Sequence, residues 1–145
     1  MKLRSPAWFV DHDTLGLAHA LAELRDDVTF PGDTGERRHG RWRLPPCPIP
    51  LHSVPDEVWI PQVAGFGWAI VTRDKRIQSR TREIDAVAAS NARMFAITSE
   101  ENLDNWGLVE VVASRWRDMA AAAREPGPYV YSLTRTSIRK VATFV

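Results

Sequence analysis

Short apolar runs alternating with stretches of helical period constrain this chain more than any other feature. Residues 7–10 form a buried-strand run that stops at Asp11. From Thr14 the period changes: Leu15, Ala18, Leu21, Ala22 and Leu24 fall at helical spacing, with Asp13 or Thr14 as N-cap. Residues 28–30 are a second short strand, stopped by Pro31-Gly32. Six of the ten prolines (31, 45, 46, 48, 50, 55) lie in residues 31–55, which read as loop. A helix follows from Asp56, with a kink expected at Pro61 and an end at Gly65 and Gly67. Residues 68–72 are the third strand, 77–90 a helix, 94–98 the fourth strand and 108–124 a long helix. Segments 129–133 and 138–144 alternate as a terminal hairpin around Arg135-Thr136, within a C-terminal section at 128–145. The order β-α-β-loop-α-β-α-β-α is that of an α/β chain, a parallel sheet covered on both faces.

Length and composition narrow the function. A chain of 145 residues, 44% hydrophobic, is expected to form a single domain over 1–145 with a real core. Nineteen basic against 18 acidic residues leave a net charge of +1, so any nucleic-acid binding must come from local clusters. The longest apolar run, 63–71, is far below the ~18 residues of a spanning helix. The apolar stretch after Lys2 and Arg4 is too short for a signal-peptide core. A cytoplasmic location with no membrane partner is the expectation. One cysteine, Cys47, excludes an intramolecular disulfide and a cysteine-cluster zinc site. The four histidines (12, 19, 39, 52) show no ligand spacing, and neither a P-loop nor a Gly-x-Ser-x-Gly elbow occurs.

Function in an open parallel sheet gathers at the carboxyl ends of its strands. An acid ends the first strand (Asp11), another opens the helix before the third (Asp56), and a third follows that strand (Asp74). Clustered carboxylates repel and raise one another's pKa unless a cation sits among them, and Mg²⁺ or Mn²⁺ suits such oxygen ligands. The ordinary alternatives are helix N-caps at Asp13 and Asp56 and a turn residue at Asp74.

Phe9-Val10-Asp11-His12-Asp13, then Pro55-Asp56-Glu57-Val58-Trp59-Ile60, then Gly67-Trp68-Ala69-Ile70-Val71-Thr72-Arg73-Asp74-Lys75-Arg76-Ile77 resemble the PIN-like domain family, and its VapC-type toxin branch most closely. Arg80-Thr81-Arg82-Glu83 and Gly127-Pro128-Tyr129-Val130-Tyr131 fit the same branch. The resemblance implies a three-layer α/β/α sandwich with a mostly parallel central sheet and a C-terminal hairpin. It also implies a metal-dependent endoribonuclease, the toxin of a type II toxin–antitoxin pair, with Asp11, Asp56 and Asp74 as catalytic metal ligands. PIN domains usually add a further acid; Asp33, Glu36 or Asp13 is the candidate here. Mg²⁺ or Mn²⁺ held there would lower the pKa of a bound water and stabilise phosphate charge. Thr72 is placed to orient Asp74 or that water. RNA and a cognate antitoxin are the implied partners, with a homodimer as one option for assembly.

Two basic clusters stand out: Arg37, Arg38, Arg41 and Arg43 around Trp42, and Arg73, Lys75, Arg76, Arg80 and Arg82 around Asp74. Arg76, Arg80 and Arg82 with Trp42 suit single-stranded RNA, by phosphate charge and base stacking. A solvated helix face is the plain alternative, with Arg80 pairing to Glu83. The helix at 108–124 with Trp116 is a candidate antitoxin surface, or else an ordinary core helix. The rival function is a catalytically decayed PIN-like module that binds a protein or RNA. A third reading is a haloacid-dehalogenase-like phosphatase, from Asp11-His12-Asp13. Leu15 departs from that motif, and nothing after Met94 convincingly supplies the late acidic pair that the motif expects after a lysine.

Overall fold

A computed structural model describes residues 2–35, 42–52, 54–73, 81–99 and 102–143. In chain order the elements are β1 (Lys2–Leu3), β2 (Trp8–Val10), a 3-10 turn (His12–Thr14), α1 (Leu15–Leu24), β3 (Val28–Thr29), β4 (Trp42–Arg43), α2 (Asp56–Gly65), β5 (Ala69–Arg73), α3 (Thr81–Ser90), β6 (Arg93–Ile97), α4 (Asn105–Ala122), β7 (Tyr129–Leu133) and β8 (Ile138–Thr143). Six strands make one sheet in the order β3-β2-β5-β6-β7-β8. The first five run parallel, and β8 returns antiparallel to β7.

Alternation along the strands makes three layers. Trp8, Val10, Val71, Phe95 and Ile97 face the side covered by α1 and α4. Phe9, Ile70, Met94 and Ala96 face the side covered by α2 and α3. Central strands buried on both faces are apolar along most of their length, which is why they read as near-continuous apolar runs, with Thr72, Arg73 and Arg93 at the strand ends. The expected α/β/α sandwich is therefore the fold. Val111, Val112 and Met119 of α4 are fully buried, and Trp116 packs on Trp8 at 4.8 Å between ring centroids under the Arg25 guanidinium. The face with Val111, Val112 and Met119 is core and Trp116 is half-buried against it, which is the ordinary core-helix alternative at those positions.

Several boundaries differ for local reasons. β6 starts at Arg93, whose guanidinium donates to the carbonyls of Gly67 (2.6 Å) and Ala123 and closes the amino edge of the sheet. α4 starts at Asn105 rather than 108, because the Asp104 carboxylate accepts the Gly107 N–H at 2.8 Å. α2 continues through Pro61 to Gly65. Of the caps expected at Asp13 or Thr14, Thr14 is the N-cap of α1, without a side-chain cap bond, and Asp11 caps the 3-10 turn before it. Residues 31–55 are not all loop, since β4 pairs in parallel with β1. No helix among the described residues is long and apolar enough to cross a membrane.

Candidate active site

The strand order reverses direction at β2, which has β3 on one side and β5 on the other. In open α/β sheets ligands bind outside the carboxyl ends of the strands at such a switch point. Asp11 stands there. Its N–H extends the ladder to the Val71 carbonyl at 2.9 Å, and its own carbonyl accepts the N–H and hydroxyl of Thr14, both at 3.0 Å. The backbone that places Asp11 is thus held on both sides.

Asp11 is 5% exposed. Oδ1 accepts the His12 N–H at 2.6 Å and meets His12 Nδ1 at 2.8 Å, while Oδ2 accepts the Thr72 hydroxyl at 3.1 Å. On the other side of the ring, His12 Nε2 lies 3.2 Å from Asp13 Oδ1. Burial pushes the Asp11 pKa up, the Asp13 charge adds to this, and His12 opposes both. Asp11 is consequently a carboxylate whose charge lacks full compensation.

Beside it opens a small cleft lined by Asp11, His12, His52, Trp59, Pro31 and Pro50 among others, with about 10 Å³ of water-sized space, room for one water. The proline-rich segment roofs this cleft. It is pinned by Asp33, whose carboxylate accepts the Thr29 hydroxyl (2.9 Å) and the Gly35 N–H (3.0 Å), while its carbonyl accepts the Cys47 N–H (2.9 Å).

The donor atoms of Asp11, His12 and Asp13 lie within 4.8 Å of one another. Among the described residues this is the one group of three or more such side chains so close, and it includes neither Asp56 nor Asp33. Asp56 opens α2 and accepts the Trp59 indole N–H at 2.9 Å, so it sits one side chain from the cleft and orients a wall of it. Asp74, Glu36, Arg76 and Arg80 lie outside the described residues. Arg82 falls in the first turn of α3, and Trp42 in β4. Thr72 reaches Asp11, a partner the sequence reading did not assign to it. His12 and His52 line the cleft although neither carries ligand spacing in the sequence. The available signal was His12 lying between two acids at a strand end. Glu83, buried in the first turn of α3, is a further acid on the α2 side. The donor chemistry fits a hard divalent cation: two carboxylates and an imidazole converge, and the buried one has its charged form disfavoured by burial and by its acidic neighbour.

An open, mostly parallel sheet with an acid pair at its switch point defines a metal-site type of α/β domain. The chain belongs to the PIN-like domain family: the sequence pattern described as "PIN like domain" matches residues 6–99, more than half of it. A relative from Mycobacterium tuberculosis (strain ATCC 25618 / H37Rv), which bears the name ribonuclease VapC45, is 32% identical over 133 residues, covering 92% of this chain and 89% of the relative. That likeness places the chain among VapC-type members, and the phosphatase reading falls. No solved structure matches the chain significantly.

Proposed function

We propose that this protein is a metal-dependent endoribonuclease, the toxin of a type II toxin–antitoxin pair, with Asp11, Asp56 and Asp74 as its catalytic acids. The observation that carries the reading is Asp11 itself, a buried carboxylate at the switch point, flanked by His12 and Asp13 and braced by Thr72. The name of the Mycobacterium relative supports the ribonuclease activity and an antitoxin partner. Mg²⁺ or Mn²⁺ held by these acids, with Asp13 or Asp33 as the further ligand, supplies a water of lowered pKa and charge stabilisation at phosphorus. The chain's own share is positional. The backbone bonds around Asp11 hold its carboxylate still, Thr72 fixes Oδ2, and Asp56 steadies Trp59 against the cleft. Arg76, Arg80 and Arg82 attract the RNA backbone, and Trp42 offers a ring to a base. A cytoplasmic location and a homodimer belong to the same reading.

The test is cleavage of single-stranded RNA by the purified protein in Mg²⁺ or Mn²⁺, with chelator and Asp11→Asn as controls. Cleavage that both controls abolish supports the enzyme. RNA or protein binding without metal-dependent cleavage marks a decayed module.

A further inference from the structure

We propose that Trp106 is a stacking platform for one base of single-stranded RNA at the rim of the Asp11 site. This rests on the ribonuclease reading and extends it to how substrate is held.

Tryptophan is a costly residue to leave in water, and this chain buries or half-buries the others whose side chains are described. Trp8, Trp59 and Trp68 are 5%, 2% and 8% exposed, and Trp116 is covered by Arg25. Trp106 is 70% exposed. Its ring contributes little to the core, while the backbone turn that carries it is held in place. It stands in the first turn of α4, which Asp104 caps through the Gly107 N–H, with Leu103 packed against Gly107.

Topology and one close contact bring that turn to the site. β2, β5 and β6 are parallel, so the chain leaving β6 enters α4 at the same sheet edge where β2 delivers Asp11. There the Asn105 side chain lies flat on Gly16: a methyl group on Gly16 would stand 2.3 Å from its amide. Gly16 is three residues after Asp13, and Trp106 follows Asn105 directly. The turn that carries the exposed indole thereby packs on the start of α1, which directly follows the acidic site, and the cleft of that site has room for one water and not for a base. A strand laid across Asp11 must therefore rest its bases outside the cleft. Unpaired bases stack on aromatic faces whatever their identity, which is the chemistry an exposed indole offers.

The experiment measures binding of a labelled single-stranded oligoribonucleotide in chelator, where nothing is cut, for the whole chain and its Trp106→Ala, Trp106→Leu and Trp106→Phe variants. Each is also measured against oligonucleotides carrying one abasic residue at successive positions. Ala and Leu are expected to weaken binding roughly 5- to 150-fold and Phe far less. One abasic position should weaken the native protein and leave Trp106→Ala no weaker than before, which a purely structural role would not produce. Trp106→Leu keeps the apolar bulk, so native-like affinity in that variant overturns the proposal even if the alanine variant folds poorly. Unchanged RNA binding in Trp106→Ala, with conversion of a dimer to monomer in light scattering, assigns the ring to a protein contact and overturns it too. If native protein cleaves RNA and Asp11→Asn does not, while all Trp106 variants bind alike, only this inference falls. If native protein neither binds nor cleaves RNA, the ribonuclease reading falls first.

Discussion

The Thr72 hydroxyl donates a 3.1 Å hydrogen bond to Asp11 Oδ2, joining residues 61 positions apart across the boundary where the sheet reverses its winding. Thr72 is 2% exposed and Asp11 5%, so neither has water as a ready substitute partner. The bond does two things: it fixes the carboxylate's rotation, and it favours the charged form that burial disfavours.

Thr72→Val keeps the shape and removes the donor. Stability at neutral pH is expected to fall by about 1.5–3 kcal/mol, the range for a bond to a charged group. The acid limb of the pH–rate profile should move to higher pH, because the Asp11 carboxylate loses a stabilising partner. Thr72→Ser should restore both. A pH–rate profile unchanged in the valine variant would show that the bond does not govern the site.

Asp11 also predicts how stability varies with pH in chelator. Its folded-state pKa lies above its model value of 3.8, so the native state binds more protons than the unfolded state between the two values. Its contribution is therefore fully present below the unfolded pKa and is lost as pH rises through the folded one. Asp11→Asn should flatten this part of the urea-unfolding curve against pH. The same variant should lower cleavage about 100-fold or more. Added Mn²⁺ should raise the melting temperature of the native chain alone.

Asp13 and Asp56 can be told apart by calorimetry. Asp13→Asn removes a charge that holds the Asp11 pKa up, so metal-free stability should rise slightly while Mn²⁺ affinity falls. Asp56→Asn retains an oxygen for the Trp59 indole and should leave melting nearly unchanged. A lower Mn²⁺ affinity in that variant would make Asp56 a ligand; an unaltered one would leave it a support for Trp59.

Replacing Arg76, Arg80 and Arg82 with Gln should make the salt dependence of single-stranded RNA binding shallower by up to roughly two units, at about 0.7 per phosphate contact. Trp42→Ala should instead cost on the order of 1–3 kcal/mol with little change in slope. Both are measured in the Asp74→Asn background, where turnover does not intrude. An unchanged slope in the triple variant would return those arginines to the solvated face of a helix.

Arg93 serves as the contrast, since its bonds to the Gly67 and Ala123 carbonyls lie at the opposite edge of the sheet. Arg93→Leu is expected to lower stability by about 1–2 kcal/mol and leave turnover unchanged. Loss of activity at full occupancy of the fold would contradict that separation.

Sequence alone determined the layers and the position of Asp11. A parallel strand buried on both faces is nearly continuously apolar, so residues 7–10 announce a strand, and the first acid after them stands at its carboxyl end. The order of such runs and of the helical stretches then leaves few sheets to choose from. What it did not determine were the partners of Asp11. Thr72 is ordinary in a strand, and its bond arises only because β5 lies beside β2 in register, with Val10 opposite Val71. His12 carries no ligand spacing, yet the 3-10 turn curls its ring between two carboxylates. Asp33 reads as a candidate fourth acid by type, and the fold adds that its carboxylate pins the proline-rich segment. Trp106 reads like any other tryptophan until α4 leaves it in solvent, one residue after the Asn105 side chain that packs on Gly16. Local periodicity encodes which face of each element is buried, because burial acts on every residue of that element. Which side chains meet across elements depends on strand order and helix placement, which only the assembled fold supplies.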